Sequence, residues 1–171
     1  MDTIMEALLT RHSVRKYEKK TIDKETLDEL LRCAMQAPSA MNRQEWEFIV
    51  VTKEDTLQKI MEIHPHASFL ADAGTAIIIC GDKNKQFQEG HWITDTAAAT
   101  ENLLLAAHGK GLGACWCGIF PDTERMKAFQ DLFHLPEHIL PMSLNVIGYP
   151  KTLPVQHSER FVPEKIHYEK W

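Results

Sequence analysis

Residues 91–110 read HWITDTAAATENLLLAAHGK, and the chain then runs through GLG at 111–113 into ACWCGIFP at 114–121. The alanine and leucine residues of the first segment occupy nearly every side of a helix with 3.6 residues per turn. This pattern predicts a long helix that is buried on most of its sides, followed by a short apolar strand. A helix of this kind lies either at the centre of a core or in a subunit interface.

Both ends of this helix carry residues that are typical of helix boundaries. Side chains with cap-forming oxygens lie near its start, at Thr94, Asp95 and Thr96. Gly109 and Gly111 are expected to end the helix in the left-handed conformation. Asp95 is therefore interpreted as a cap, and Glu101 as an exposed or interfacial charge.

Length and composition indicate one globular domain spanning residues 1–171. The chain is 44% hydrophobic and 25% charged, which is enough apolar material for one sizeable core. A formal net charge of -5 without runs of Lys or Arg argues against nucleic-acid binding and against a polybasic membrane surface. No stretch has the roughly eighteen apolar residues of a membrane span, and the first residues do not resemble a signal peptide. We therefore expect a cytoplasmic protein whose partner is a small molecule or another protein.

The four cysteines lie in apolar segments, at Cys33, Cys80, Cys115 and Cys117. This placement predicts buried, reduced thiols. Cys115 and Cys117 would share one face of a strand. Their spacing does not match that of a zinc site, and no His residue at a suitable distance completes one, so no metal is predicted.

Apolar spacing predicts the remaining elements. Helices are predicted at Ile4–Leu9, Lys24–Gln36, Thr56–Ile63 and Thr123–Phe133, with a turn or short helix at Ala67–Ala73. Strands are predicted at Trp46–Val51, Thr75–Cys80, Ala114–Ile119 and Met142–Ile147. Asp23 is expected to cap the second helix. The order of elements is typical of an α+β or α/β chain with about four core strands.

Two polar segments are candidates for ligand binding. Arg11, Ser13 and Arg15 alternate, so in an extended segment they would project to one side and could converge on an anion. A solvated basic turn explains the same residues. The loop that follows Pro38 concentrates polar side chains that could bind the edge of a heterocycle or could satisfy loop backbone groups, at Ser39, Asn42, Arg43 and Gln44.

The last residues of the chain differ from the rest. Residues 151–171 contain two prolines and mixed charge, and their apolar side chains are spaced too irregularly for a helix face. Such a segment has no core of its own, so it must lie either on this domain or on a partner subunit.

Four separated segments resemble the FMN-dependent nitroreductase family in its short form. IMEALLTRHSVRKY is similar to the family's opening helix and R-x-S-x-R/K-x-[FY] segment, and QAPSAMNRQEWEFIVV to its A-P-S-x-x-N-x-Q-P-W-x-F segment. ATENLLLAAHGKGLGACWCG resembles the family's N-L-L-L-A-A…G-L-G-x-x-W-x-G helix and strand, and Arg160 matches a late Arg near the flavin phosphate. Glu45 departs from the pattern, because the family usually has Pro there.

This resemblance implies an α+β nitroreductase-like fold, with a mostly antiparallel sheet of four to five strands flanked by helices. It also implies an intertwined homodimer with two FMN sites at the interface and an exchanged C-terminal tail, residues 158–171. Arg11, Ser13 and Arg160 would hold the phosphate, and Arg15 would reach the N1 and O2 edge of the ring. The full implied set of cofactor-binding residues is Arg11, His12, Ser13, Arg15, Pro38, Ser39, Asn42, Gln44, Trp116, Cys117, Gly118 and Arg160. Pro38, Ser39 and Asn42 would come from the other subunit, and backbone N–H groups around Cys117 and Gly118 would lie next to flavin N5 and O4.

The implied activity is that of an NAD(P)H-dependent FMN oxidoreductase. NADH or NADPH would give hydride to flavin N5 in a ping-pong cycle, and a nitroaromatic, quinone or similar acceptor would then take the electrons. No side chain of the protein is required as a catalytic acid or base. Two alternatives stay open: a flavin-binding module with little turnover, and an enzyme of the same fold that acts on reduced flavin or on halogenated aromatics.

Overall fold

A four-stranded antiparallel sheet forms the centre of the computed structural model, which describes residues 3–152 and 159–171. The strands are β1 (Trp46–Val51), β2 (Thr75–Asp82), β3 (Gly113–Gly118) and β4 (Ile139–Gly148). Their order across the sheet is β1-β2-β4-β3, and each neighbouring pair is antiparallel. The expectation of an α+β fold with about four core strands is therefore confirmed.

Within these described residues, six α-helices surround the sheet: α1 (Thr3–Thr10), α2 (Lys24–Ala34), α3 (Glu54–Ile63), α4 (Leu70–Ala73), α5 (His91–Gly109) and α6 (Thr123–Phe133). Short 3-10 helices lie at Ala40–Asn42, Pro65–Ala67 and Pro163–Lys165. The predicted bounds of β1 and α6 match the structure residue for residue. Asp23 caps α2 as predicted, because its carboxylate accepts a hydrogen bond from the backbone N–H of Thr26.

The sheet separates two apolar layers. All eight residues of β2 are buried, as expected for a central strand, and its side chains alternate between the layers. Ile77 and Ile79 pack on the side of α2 and α5, whereas Ile78 and Cys80 pack on the side of α3, α4 and α6. Of the four cysteines, Cys33 is exposed, so the prediction of burial is wrong for that residue and holds for the other three.

The start and end of α5 differ from the expected caps. Gly90 precedes the helix with a φ of 90°, a value that favours glycine. The Thr96 hydroxyl donates to the Trp92 carbonyl within the helix, and Asp95 lies one turn inside, so neither residue is a cap. At the other end Gly111 is left-handed with a φ of 72°, as predicted, whereas Gly109 is the last helical residue. Polar side chains of the first turns therefore serve contacts other than capping.

Within one chain, α5 is buried along one face. Buried residues recur every three to four positions from Trp92 to Ala107, and the face that includes Ala98 and Leu105 is half-buried. The helix therefore packs on the sheet without being enclosed by its own chain.

The C-terminal tail lies outside this core. Every residue from 159 to 171 is exposed, and Ser158, where the predicted tail begins, lies outside the described residues. No helix among residues 3–152 and 159–171 is long and apolar enough to cross a membrane.

Candidate functional site

A cavity of about 760 Å³ opens beside the C-terminal end of β3. Four segments form its walls: Arg15; His64, Pro65, His66, Ser68 and Phe69; Cys115–Gly118; and Phe120, Pro121, Asp122 and Arg125. Its volume lies within the range of roughly 300–1,000 Å³ that is typical of small-molecule sites. The cavity therefore has room for a ligand the size of a cofactor.

The basic segment, residues 11–17, lies along the free edge of β3. The Val14 N–H donates to the Ala114 carbonyl (2.9 Å), and the buried Tyr17 hydroxyl donates to the Val14 carbonyl (2.6 Å). Because Val14 faces the core, its neighbours Ser13 and Arg15 face outward. The expected alternation is present at these two residues.

Arg11 and Arg15 point to different surroundings. Arg11 Nε lies 3.1 Å from Glu101 Oε1, so its charge is paired with α5. Arg15 lines the large cavity and also a smaller hollow of about 170 Å³ formed with His12 and Ser13. Among the described residues no carboxylate oxygen lies within 4.0 Å of the Arg15 side-chain nitrogens. Arg15 is thus the cation that is available to an anionic group in the cavity.

The polar loop, residues 38–44, has a strained backbone. Met41, Asn42 and Gln44 have φ values of 51°, 54° and 52°, in the left-handed region, which Asn adopts more readily than Met and Gln do. The Ser39 hydroxyl accepts a hydrogen bond from the Gln44 N–H (3.0 Å), and Gln44 Nε2 donates to the Asn42 side chain (3.2 Å). Strain of this kind is concentrated at functional sites in proteins.

Asp95 holds this polar loop against α5. Its carboxylate accepts a hydrogen bond from the Ala40 N–H (2.8 Å), and the Thr94 hydroxyl donates to its other oxygen (3.1 Å). The sequence interpretation of Asp95 as a helix cap is therefore wrong, because the loop occupies its carboxylate instead. The contact joins residues 55 positions apart, which local pattern cannot reveal.

Glu45 is fully buried immediately after the polar loop. Both of its carboxylate oxygens lack a hydrogen-bond partner among the described residues. Burial raises the pKa of the Glu45 carboxyl group, and the nearby negative charge of Asp95 raises that pKa further. The sequence showed that Glu45 replaces the usual Pro of the family, but it gave no indication that the Glu45 side chain is buried.

His64 is a cavity residue that sequence reasoning did not select. It is buried, and its Nε2 lies 3.1 Å from the Gly118 carbonyl oxygen. A carbonyl can only accept, so Nε2 carries the hydrogen and Nδ1, which has no partner in the described chain, is left as an acceptor. Burial lowers the pKa of His64, and the charge of Arg125 contributes in the same direction. The one available signal was its position beside Pro65, at the end of a predicted helix.

A model described as the nitroreductase family matches residues 8–66 and 64–149 of the chain. The chain belongs to the nitroreductase family. A protein of Methanothermobacter thermautotrophicus, named as a candidate NADH dehydrogenase/NAD(P)H nitroreductase, is 42% identical over 98% of this chain and 87% of its own length.

Solved structures agree with this family assignment. One is the structure of a candidate NADH dehydrogenase/NAD(P)H nitroreductase from Parabacteroides distasonis. It has a TM-score of 0.94 and 37% sequence identity, and the alignment covers 100% of both chains. An FMN-dependent nitroreductase from Clostridium difficile has a TM-score of 0.89 and 30% identity, and covers 98% of this chain and 99% of that chain. The antiparallel sheet with flanking helices is therefore the nitroreductase fold.

This member of the nitroreductase family brings together only part of the expected set of site residues. Arg15, Trp116, Cys117 and Gly118 line the large cavity, and His12 and Ser13 line the smaller hollow beside it. Of the described residues, none from the polar loop lines either space, and neither Arg11 nor Arg160 does. Arg160 is exposed in the tail.

Proposed function

We propose that this chain is an FMN-dependent oxidoreductase that uses NADH or NADPH to reduce a small acceptor such as a nitroaromatic or a quinone. The observation that carries the proposal is the cavity at the end of β3, which is lined by Cys117, Gly118 and the Arg15 cation, and Arg15 has no carboxylate partner among the described residues. The names of relatives, including FMN reductases of Bacillus subtilis, support the cofactor.

The residues present fit a flavin mononucleotide. A phosphate requires cations and hydroxyl donors, which Ser13 supplies at the smaller hollow and Arg11 supplies two residues earlier in the chain. A polar heterocycle requires donors along one edge and apolar walls, which Arg15, Phe69 and Phe120 supply in the larger cavity. The two spaces both border Arg15, and we infer that one elongated ligand occupies both.

Bound FMN would supply the redox chemistry, by accepting hydride from the nicotinamide and passing electrons to the acceptor. The chain itself supplies binding and orientation. The Arg15 charge favours electron-rich groups at the cavity wall, and neutral His64 offers Nδ1 as a buried acceptor. Arg125 donates to the Gly118 carbonyl (2.9 Å) and is paired with Asp122 (3.0 Å), which fixes the end of β3. None of these roles requires a side chain to act as acid or base.

We also infer that the active form is a homodimer and that the second copy provides Pro38, Ser39 and Asn42 to the site, with Gln44 nearby. Apolar residues of α1 are exposed in the single chain, with Ile4 at 69% and Leu9 at 62%. An apolar groove of about 710 Å³ lies beside them, between α1, α2 and α5. The tail exposes Phe161, Tyr168 and Trp171. A second copy would cover these exposed apolar surfaces.

The function is tested by an absorption spectrum of the purified protein, followed by anaerobic addition of NADH and then NADPH. The expected result is a flavin spectrum that bleaches with one nucleotide and returns when a nitroaromatic or a quinone is added. Bands that persist with both nucleotides would contradict the reductase and favour a flavin-binding module. Absence of flavin, even after incubation with FMN, would contradict the cofactor.

The dimer is tested separately by light scattering and sedimentation. Full-length protein is expected to have twice the chain mass, and removal of residues 159–171 is expected to shift it toward monomer. Leu8→Glu places a charge on the exposed apolar face of α1 and should do the same, whereas Glu6→Gln on that helix is the matched control. A monomeric full-length protein would overturn the dimer while leaving the flavin test unaffected.

A further inference from the structure

One wall of the large cavity is bare backbone at Gly118. Gly118 is the one glycine among the described residues that line this cavity, and it is exposed. A Cβ added there would meet no heavy atom nearer than the Phe120 carbonyl oxygen, at 3.6 Å. Because no side chain stands between this backbone and the cavity, a bound ligand can contact the peptide groups of Gly118 directly.

The Gly118 carbonyl oxygen has two hydrogen-bond donors. His64 Nε2 lies 3.1 Å from it, and Arg125 Nη1 lies 2.9 Å from it. A carbonyl oxygen has two lone pairs, so these two donors fill its capacity as an acceptor. The N–H of the same peptide group, that of Ile119, donates to the Met142 carbonyl (3.2 Å). The peptide group that joins Gly118 to Ile119 is therefore bonded at both of its polar atoms.

Both donors are themselves held in place. His64 is buried directly after α3, and its ring packs edge-on against Phe129 with 6.4 Å between the ring centroids. Burial lowers the pKa of His64, so the ring is neutral at pH 7 with its hydrogen on Nε2. Arg125, in the first turn of α6, is paired with Asp122 through Nη2 (3.0 Å). The end of α3 and the start of α6 thus each place one donor on the same oxygen.

We propose that His64 is a positioning residue for the flavin: together with Arg125 it fills both lone pairs of the Gly118 carbonyl, so that this oxygen cannot accept a hydrogen bond from the bound cofactor. The inference rests on the proposed function and on the expectation that flavin N5 lies beside Cys117 and Gly118, which line the cavity. It gives a side chain outside the expected set of cofactor-binding residues a role in setting how readily the reduced cofactor gives up electrons.

The effect of this carbonyl differs between the two redox states of a flavin. Oxidised N5 has a lone pair and no hydrogen, whereas reduced N5 carries a hydrogen that a free carbonyl would accept. An unfilled lone pair on the Gly118 oxygen would therefore stabilise the reduced cofactor and repel the oxidised one, which raises the reduction potential. With both lone pairs filled, the wall gives the reduced form no such stabilisation, and its tendency to pass electrons to an acceptor is kept.

The hydrogen bonds are tested in flavin-free, full-length protein. The sequence has one Gly followed by Ile, at Gly118–Ile119, so glycine labelled with ¹³C at its carbonyl and isoleucine labelled with ¹⁵N give a single peak in a carbonyl-to-amide NMR spectrum. His64→Leu removes one donor and should move the carbonyl resonance upfield, because hydrogen bonds shift it downfield. Arg125→Ala should move it in the same direction. His64→Gln is the matched control: its amide can donate from nearly the position of Nε2, so the peak should stay close to that of wild type.

The role toward the cofactor is tested by the reduction potential of bound FMN, measured against a reference dye. In His64→Leu the preference for reduced over oxidised FMN should rise about tenfold, the size expected of one hydrogen bond, which corresponds to a potential higher by about 30 mV. His64→Gln should return this preference to within about twofold of wild type. If His64→Leu does not fold, His64→Met, which also lacks a donor, takes its place.

Three results would overturn the inference alone. The first is a carbonyl peak that does not move in His64→Leu, and the second is a potential that is the same in His64→Leu and wild type. The third is an equal rise of the potential in His64→Gln, which would assign the effect to loss of the imidazole ring. Wild-type protein that takes up no FMN would overturn the proposed function, and the inference with it.

Discussion

Arg11 Nε lies 3.1 Å from Glu101 Oε1, so the first arginine of the basic segment is bound to a carboxylate of α5. The Arg11 side chain is 20% exposed and that of Glu101 is 45% exposed. An ion pair of this exposure contributes about 0–1 kcal/mol. A phosphate dianion is a stronger partner for a guanidinium, so we propose that Arg11 exchanges Glu101 for the phosphate of bound FMN.

Replacement of Arg11 tests its predicted role with phosphate. Arg11→Ala should weaken FMN binding by about 1.5–3 kcal/mol, or roughly 10- to 150-fold, because a charge-assisted hydrogen bond is lost. The measurement is a titration of flavin-free protein with FMN, followed by flavin fluorescence. Arg32→Ala, an exposed arginine in the last turn of α2, is the control and should bind normally. An unchanged dissociation constant for Arg11→Ala would exclude this role.

Glu101→Gln should have the opposite effect in the same titration. Without the carboxylate, Arg11 no longer has to leave a charged partner, so FMN should bind up to about fivefold more tightly. Weaker binding by Glu101→Gln would show that Glu101 orients Arg11 and does not compete with the phosphate.

Glu45 predicts a dependence of stability on pH. Its raised pKa means that the folded chain holds this proton more tightly than the unfolded chain does. Its contribution to the free energy of unfolding is therefore complete below pH 4.5, the ordinary value, and is lost as the pH rises through the raised pKa. Glu45→Gln should remove this loss and stabilise the protein at pH 8 by about 1–3 kcal/mol, since no charge is then buried without a partner.

Urea unfolding at several pH values between 5 and 9 measures this effect. Glu47→Gln is the matched control, because Glu47 lies on β1, two residues after Glu45, but is exposed and paired with Lys85 (2.7 Å). The difference between Glu45→Gln and wild type should grow with pH, and that for Glu47→Gln should stay nearly constant. Parallel curves for Glu45→Gln and wild type would mean that Glu45 titrates normally.

The helices and strands could be predicted from the sequence more accurately than the contacts of the candidate site. Helix α6 and strand β1 were predicted to the residue, because spacing of apolar side chains depends on neighbours in the chain. The role of Asp95 was missed, since its partner is the backbone of Ala40 and such contacts depend on packing. The left-handed residues of the polar loop were missed as well, because Met and Gln have no preference for that conformation.

The sequence pattern and the resemblance to a family both selected the basic segment as a binding site, whereas the structure shows that its residues have different partners. Ser13 and Arg15 face the hollows beside β3, and Arg11 faces α5. A pattern of alternation indicates which side a residue faces, but it carries no information about which distant carboxylate lies there. The burial of His64 and of Glu45 has the same origin, because both depend on how α3, α5 and the ends of the strands pack.

His64 predicts a loss of stability in mildly acidic solution. Burial lowers its pKa, so the unfolded chain takes up this proton more readily than the folded chain. Its contribution to the free energy of unfolding is complete above pH 6.5 and is lost as the pH falls through the lowered pKa, with a slope of at most about 1.4 kcal/mol per pH unit. His64→Gln should flatten this slope between pH 6.5 and 5. The neighbouring exposed His66→Gln should leave it unchanged, and an equal effect of both variants would contradict the assignment.

The close approach of Gly113 to Val14 predicts that a larger residue at position 113 displaces the basic segment from β3. A Cβ added at Gly113 would lie 2.8 Å from the Cβ of Val14, which is closer than two carbon atoms can pack. Gly113→Ala should therefore displace the basic segment and cost about 1–3 kcal/mol of stability, with weaker FMN binding because Ser13 and Arg15 move with Val14.

Gly109→Ala is the matched control: its added Cβ meets open space at the end of α5, and alanine should stabilise that helix by about 0.5–1 kcal/mol. The double variant Gly113→Ala/Val14→Gly removes the Cβ and both Cγ atoms that the new methyl group would meet, and it should recover part of the lost FMN affinity. If the double variant binds FMN no better than Gly113→Ala alone, the contact with Val14 is not the cause of the loss.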